Sequence, residues 1–225
     1  MSNFFAIPIT DEWGTTYQLT TAGYTALVVL MLALLLLACF IGNSVKQPKF
    51  SARQLAFSAM AIAAAFVTSE IKLFHLPFGS ITLFSMLFLV LIGYWYGLRA
   101  GLMTAIAYGF LQLVSDPYII SIPQMLVDYI FAFGALGLSG LFSKSKNGLV
   151  KVYIAGVLGR YFFAFLSGMI FFGAYAADYG MSAPVYSLVY NGIYLSVEAV
   201  LTLIVLYLPP VKKVMGQLKT MATQR

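Results

Sequence analysis

Long apolar stretches alternate with short polar connections along the chain. A hydrocarbon core about 30 Å thick is crossed by roughly 20 apolar residues in helical conformation. Seven stretches reach or approach this length: Thr21–Gly42, Arg53–Leu73, Ile81–Tyr96, Gly101–Val114, Pro123–Phe142, Val150–Ala174 and Tyr186–Leu208. The third and fourth are short and are separated only by YGLRAG, so they are expected to form a tight helical hairpin. The pattern predicts an all-α integral membrane protein built as a seven-helix bundle.

The composition supports this fold class. The chain of 225 residues is 61% hydrophobic and 9% charged, with a mean hydropathy of +0.92, whereas soluble domains are about 25% charged. A membrane-spanning β-barrel is excluded because its strands alternate in polarity with a period of two, and this alternation is absent. The first apolar stretch is expected to be retained rather than cleaved, since no Lys or Arg precedes it.

The basic residues indicate how the helices are oriented. Eleven of the 13 Lys and Arg residues lie in connections that share one side if seven helices cross the membrane. Basic connections mark the cytoplasm, so the N-terminus is predicted outside and the C-terminus inside. The net charge of +6 therefore does not indicate a nucleic-acid partner, which would need basic residues clustered on a solvated face.

Three ionisable side chains lie at membrane depth: Asp128, Arg160 and Glu198. An unpaired charge there costs about 3 kcal/mol, so each is expected to face the bundle interior and to have a partner. Arg160 and Glu198 both fall near the midplane, which predicts a structural ion pair, with direct ligand binding as the alternative.

Asp128 lies about 8 Å below the predicted outer surface, and no basic residue on a neighbouring predicted helix lies at the same depth. It is predicted to meet a cation or donor of a ligand; tyrosine hydroxyls and backbone groups are the alternative partners.

The outer half of the predicted bundle is rich in tyrosine and amide side chains, which include Tyr118, Gln124, Tyr186 and Asn191. Interfacial tyrosines are often only headgroup anchors. Asn191, however, lies about as deep as Asp128, where an amide that faced lipid would be costly. An acid, an amide and several aromatic rings in one pocket favour a small, flat heterocycle that contains nitrogen.

The sequence predicts no enzyme, no metal site and no cofactor. It has no GxxxxGK[ST] loop, and no catalytic nucleophile or set of metal ligands is suitably spaced from its single cysteine, Cys39, or its single histidine, His75.

The second apolar stretch carries small residues four apart, among them Ala59 and Ala63. Such spacing lets helices approach closely, either within the bundle or in contact with a partner membrane protein.

Four segments together give the chain a family resemblance: PQMLVDY, SGMIFF, YAADYG and YSLVYN. From Gln54 to Leu208 it resembles the thiamine-specific substrate-binding (S) components of energy-coupling factor (ECF) vitamin transporters. The resemblance implies a six-helix protein of the bacterial cytoplasmic membrane that captures thiamine outside the cell. It also implies association with a transmembrane coupling protein and two ABC-type ATPases. Residues 51–210 would form the core, residues 1–50 an extracellular segment with an extra helix, and residues 211–225 a cytoplasmic basic tail.

The resemblance also implies roles for individual residues. Five match positions that line the thiamine pocket of the family: Tyr118, Asp128, Tyr129, Tyr186 and Asn191. Ala164 stands where relatives commonly have histidine, and Phe172 where some have tryptophan. Ala59 and Ala63 match the family's docking motif for the coupling protein.

Other functions stay open at this point. The departures at Ala164 and Phe172 are compatible with a smaller ligand, pyridoxine (vitamin B6) or hydroxymethyl-pyrimidine, bound by the same class of transporter. A secondary transporter driven by a proton or sodium gradient is a further alternative, but the inverted repeats typical of such carriers are not evident. A membrane enzyme that acts on lipid headgroups would need a metal cluster or a nucleophile with its base, which the sequence does not provide.

Overall fold

The computed structural model describes residues 4–11, 14–26, 29, 33, 51–76, 79–115, 117–143 and 148–224. Within these residues the protein is mainly helical. Seven helices have complete bounds there: α1 Ala52–Ser69, α2 Ser85–Tyr96, α3 Leu98–Ser115, α4 Ile122–Phe142, α5 Gly148–Phe171, α6 Ala183–Tyr207 and α7 Pro209–Thr223. A short 3₁₀ segment, Gly173–Tyr179, connects α5 to α6.

Five of these helices are long and apolar enough to cross a membrane: α1, α3, α4, α5 and α6. Helix α2 is also apolar but has only 12 residues. Its length is about 18 Å, which is less than the thickness of the hydrocarbon core.

Two small antiparallel hairpins occur in regions that the sequence did not predict as strands. Strand β1 (Ala6–Asp11) pairs with β2 (Gly14–Leu19), and β3 (Lys72–Leu76) pairs with β4 (Gly79–Thr82). The second predicted stretch therefore ends at Ser69 rather than Leu73, and the third begins at Ser85 rather than Ile81. The apolar residues of β3 and β4 resemble helix ends in composition, and only their mutual backbone pairing makes them strands.

The first predicted stretch, Thr21–Gly42, lies mostly outside the described residues. Residues 21–26, 29 and 33 are helical. The ring of Tyr24 stacks on Phe171 at the end of α5, with ring centroids 5.4 Å apart and an interplanar angle of 12°. The count of seven membrane-crossing helices and the orientation of the bundle stay predictions.

Helix α2 forms the centre of the bundle. Every residue from 85 to 93 is buried except Phe88, and α2 packs against α1, α3, α4 and α5. Small residues allow close helix contacts in lipid, where no hydrophobic force drives helices together. Gly140 of α4 shows this most clearly, because a Cβ there would lie 2.3 Å from the backbone nitrogen of Leu98, at the start of α3.

The predicted basic tail forms a helix that folds back onto the bundle. In α7, the Lys219 Nζ donates a hydrogen bond to the Tyr94 hydroxyl at 3.0 Å, and the Tyr96 hydroxyl donates to the Ala222 carbonyl at 2.9 Å. Val211 of the same helix packs against the main hydrophobic cluster. The sequence did not predict this helix, because its apolar face has a partner only after the chain has folded.

The predicted ion pair between Arg160 and Glu198 is wrong. Among the described residues, no ion pair joins these two side chains. Glu198 instead accepts hydrogen bonds at the N-terminus of α2, and the Arg160 guanidinium lies 4.3 Å above the ring of Phe133. The physical reason is that α2 begins inside the bundle. The N–H and hydroxyl donors of its first turn lack partners within the helix, and they bind the Glu198 carboxyl group in place of Arg160.

Candidate ligand-binding site

The site includes a widened helical turn of α4. Helix α4 includes a π-helical segment, Leu126–Phe131, which contains Asp128 and Tyr129. Single π turns inside α-helices occur frequently at functional sites. Helix α3 accommodates the wider turn with Gly109, where a Cβ would lie only 2.1 Å from the carbonyl oxygen of Tyr129.

A buried amide orients the Asp128 carboxyl group. Gln124 is 1% exposed. Its Nε2 donates to Asp128 Oδ2 at 2.7 Å and to the Tyr118 carbonyl at 3.1 Å, while its Oε1 accepts a hydrogen bond from the Ile120 backbone N–H at 3.1 Å. Gln124 thus ties the connection before α4 to the acid, and its hydrogen-bonding groups are engaged by the protein.

One pocket lies where the starts of α4 and α6 meet the end of α5. All seven residues predicted to contact the ligand line it: Tyr118, Asp128, Tyr129, Ala164, Phe172, Tyr186 and Asn191. The structure brings these side chains together, and their role in binding stays a prediction. Ala59 and Ala63 are not among the lining residues; both are exposed on α1.

The pocket includes residues that sequence reasoning did not assign to it: Ser80, Ala132, Phe133, Ser167, Gly168 and Ser187. Arg160, for which direct ligand binding was the alternative to an ion pair, also lines the pocket. Helical spacing could have indicated several of them. Arg160 and Ser167 fall on the same face of α5 as Ala164, and Ser187 precedes Asn191 by four residues on α6. Ser80 carried no such signal, because it reaches the pocket from strand β4.

Aromatic rings form much of the wall. Phe172 lies between Tyr118 and Tyr175, with centroid distances of 6.1 and 6.5 Å. On α6, the rings of Tyr186 and Tyr190 stack at 5.6 Å. A hydrogen bond with Tyr118 raises the pKa of Tyr175. Such a wall suits a planar ligand, which can stack on several rings.

Polar groups lie between the rings. Asn191 Nδ2 donates to the carbonyl and hydroxyl oxygens of Ser187, at 2.9 and 3.1 Å. The Ser187 hydroxyl donates to the Phe165 carbonyl at 2.6 Å, which links α6 to α5. The buried Ser167 hydroxyl also lines the pocket, close to the Asp128 carboxyl group.

The arrangement suits non-covalent capture. It offers a carboxyl group for a cation, an amide and hydroxyls for hydrogen bonds, and rings for stacking. In the described part of the chain, no three His, Cys, Asp or Glu side chains are grouped closely enough to hold a metal ion. Fold and pocket together define the class: a multi-pass membrane protein with a ligand-binding pocket near one end of its helix bundle.

Comparison with known proteins identifies the family. A family model described as thiamine transporter protein matches residues 55–217. The chain belongs to this thiamine transporter family, and it is accordingly a multi-pass protein of the cell membrane. Its relatives are named transporters, which supports a role other than catalysis.

Individual relatives agree with this assignment. The thiamine transporter ThiT of Bacillus subtilis (strain 168) is 32% identical over 177 residues, covering 72% of this chain and 92% of that protein. ThiT of Lacticaseibacillus paracasei is 32% identical over 124 residues, covering 49% and 59% of the two chains. A solved structure of ThiT from Listeria monocytogenes has a TM-score of 0.59 and 28% identity, covering 70% of this chain and 94% of that one.

Proposed function

We propose that this protein is the thiamine-binding S component of an ECF-type uptake transporter. One observation carries the proposal: the Asp128 carboxyl group, held by Gln124, lines a pocket walled by aromatic rings in a protein whose relatives are named thiamine transporters. Thiamine has a cationic thiazolium ring and an aminopyrimidine ring, both planar. These are the features that an acid, hydrogen-bonding groups and stacked tyrosines would recognise.

The departures from the family pattern affect one side of the pocket. Ala164 and Phe172 both line it, so the site lacks the histidine that the family commonly has and the tryptophan that some members have. Arg160 and Ser167 lie on the same face of α5 as Ala164 and offer donors near the missing imidazole. In this proposal they substitute for it, so the ligand is still thiamine rather than pyridoxine or hydroxymethyl-pyrimidine.

Isothermal titration of the purified protein with these three compounds tests the ligand. Thiamine is expected to bind at least about tenfold more tightly than either of the others, because only thiamine presents both planar rings and a fixed positive charge. If pyridoxine or hydroxymethyl-pyrimidine binds more tightly than thiamine, that compound is the ligand instead. The absence of binding by all three would overturn the proposed function.

The docking part of the proposal concerns helix α1. Its small residues form two faces: Ala61 and Ala65 are buried in the bundle, whereas Ala59 and Ala63 are exposed. Packing within the described bundle therefore does not account for Ala59 and Ala63, which leaves them for another helix. We assign this face to the transmembrane coupling protein, which would work with two ABC-type ATPases, since the sequence has no nucleotide-binding loop of its own.

Substitutions on the exposed face separate binding from transport. Ala59→Leu and Ala63→Leu are expected to leave thiamine affinity unchanged while they reduce uptake by cells that contain the coupling module at least about fivefold. Ala107→Leu, at an exposed alanine of α3, is the matched control. Normal uptake by both docking variants would refute the docking assignment. Uptake by liposomes that contain this protein alone and a proton or sodium gradient would favour a secondary transporter.

The pocket is proposed to open on the outside of the cell. The end of the bundle that contains it also contains the α3–α4 connection and the 3₁₀ segment, which the distribution of basic residues places opposite the cytoplasm. In this orientation residues 1–50 contribute an extracellular segment and an extra helix, residues 51–210 the core, and residues 211–225 a cytoplasmic end. Labelling of single cysteines introduced at Tyr179 and Gln217 with an impermeant reagent on intact cells should modify only the first.

A further inference from the structure

Strand β4 enters the bundle and reaches the pocket. Ser80 lines the pocket together with residues of α6. Side chains two apart on a strand point to the same face, so Ser80 and Thr82 both face α6. Non-helical backbone inside a membrane protein is tolerated where it is buried or lines a cavity, and β4 lines a cavity through Ser80.

The junction between β4 and α2 is strained and lacks a local cap. Phe84, the residue before α2, has φ 61° and ψ 8°, a left-handed conformation that is costly for a residue with a large side chain. It provides no side-chain hydrogen bond to the helix. The Leu87 N–H donates to the Phe84 carbonyl at 3.1 Å, whereas the Met86 N–H needs an acceptor from elsewhere.

Glu198 of α6 supplies that acceptor. Its Oε1 accepts hydrogen bonds from the Met86 backbone N–H at 3.1 Å and the Ser85 hydroxyl at 3.0 Å. Its Oε2 accepts one from the Thr82 hydroxyl at 2.7 Å. Glu198 is 3% exposed and does not line the pocket, so it acts on the ligand only through other residues.

We infer that Glu198 is a positioning residue for ligand binding: by holding Thr82, Ser85 and Met86, it keeps strand β4, and with it Ser80, against the pocket. This inference rests on the proposed function insofar as the ligand is thiamine. Without the three hydrogen bonds, the strained Phe84 junction relaxes and β4 withdraws from α6. The ligand then loses one wall of its site and dissociates faster.

Three variants of the full chain test this inference. Glu198→Ala removes the acceptor, and Thr82→Val removes one donor while it keeps the shape of the side chain. The matched control is Thr202→Val, which removes a buried hydroxyl one turn along α6 from Glu198 that donates to the backbone oxygen of Glu198 at 2.8 Å. Thiamine affinity and dissociation rate are measured with radiolabelled thiamine at a temperature where each variant is folded.

Glu198→Ala is expected to raise the thiamine Kd at least about tenfold, mainly through faster dissociation, and Thr82→Val about threefold. Thr202→Val should stay within about twofold of the unaltered protein. A purely structural Glu198 would lower the melting temperature and leave the Kd of the folded protein unchanged, and that result would overturn the inference. If Glu198→Ala does not fold, Thr82→Val decides, and an effect below about twofold is then the contrary result.

Hydrogen exchange separates this inference from the proposed function. In ligand-free protein, amide exchange over residues 79–86 is expected to be faster in Glu198→Ala and Thr82→Val than in Thr202→Val. If the unaltered protein does not bind thiamine, the proposed function fails, but the exchange rates still test whether Glu198 holds β4. Equal exchange in all three variants would refute that role.

Discussion

Two carboxyl groups inside the same bundle, those of Asp128 and Glu198, have opposite surroundings. Glu198 is 3% exposed and accepts three hydrogen bonds from the β4–α2 junction, where neutral protein groups satisfy it. Asp128 is half-buried, lines the pocket and accepts a hydrogen bond from Gln124 of its own helix. One acid holds the protein together, and the other faces the space that a ligand would fill.

The comparison shows that depth in the membrane does not determine what an acid does. Any carboxyl group at that depth needs a partner, but neutral donors, a cation or a ligand can all serve. The role follows from the direction of the donors: those of Glu198 belong to a second structural element, whereas Asp128 points into a cavity. The two acids should therefore respond differently to substitution.

The largest expected effect is on the stability of the ligand-free protein. Glu198→Ala should lower the free energy of unfolding by about 3 kcal/mol, because it removes the acceptor of three donors, of which the Met86 N–H and the Ser85 hydroxyl are buried. Asp128→Asn should change it by less than about 0.5 kcal/mol, since Asn can still accept from Gln124. Unfolding in mixed detergent micelles measures both values. Equal losses would contradict the distinction between the two acids.

Asp128 should affect ligand affinity through its own contact with the ligand, whereas Glu198 acts through strand β4. Asp128→Asn is expected to raise the thiamine Kd at least about tenfold, which corresponds to about 1.4 kcal/mol, because the negative charge that faces the ligand is lost. Glu70→Gln is the control: Glu70 is exposed, and its partner is the Ser115 hydroxyl at 3.0 Å. An unchanged Kd for Asp128→Asn, measured by calorimetry, would remove this residue from the site.

A smaller effect is expected from the amide that holds Asp128. Gln124→Leu should raise the thiamine Kd about fivefold, because the carboxyl group loses its orienting donor. Gln112→Leu is the matched control, since Gln112 is a part-buried amide that bonds Ser69 and Tyr108 outside the pocket. If both substitutions weaken binding equally, the effect of Gln124 is on general stability and not on Asp128.

The smallest expected effect tests whether Arg160 and Glu198 interact directly. Arg160→Met and Glu198→Gln should change the free energy of unfolding additively, within about 0.5 kcal/mol, because the two side chains have different partners. A double-mutant cycle measures this coupling. A coupling above about 1 kcal/mol would restore the ion pair that the sequence predicted.

Much of the pocket could be predicted from sequence. Asp128 and Asn191 were recognisable because a polar group is rare and costly at membrane depth, and the family resemblance added Tyr129, Ala164 and Phe172. The predicted pairing of Arg160 with Glu198 was wrong, because depth along a helix does not indicate which neighbouring donors Glu198 will meet. Ser80 was not predicted, because its place depends on the pairing of β3 with β4 and on their entry into the bundle.

The membrane-spanning segments were predictable to a similar degree. The apolar stretches correctly indicated α3 to α6 within a few residues at each end, since length and hydrophobicity alone decide whether a helix can cross lipid. The predicted end of α1 and the predicted start of α2 were wrong, because the residues between these helices pair as strands. Helix α7 was not predicted because its polar composition resembles a tail until its apolar face meets the bundle.

The sequence by itself determined that this protein belongs in a membrane, that its helices carry a few costly polar groups, and that these groups need partners. Composition and periodicity suffice for this, because the bilayer imposes the same length and polarity on every crossing segment. Only the tertiary structure decided which partner each group has. The orientation of α4 about its axis places Asp128 at the pocket. The position of α2 places the donors of its first turn next to Glu198. Both depend on contacts between residues far apart in the chain, which local sequence does not encode.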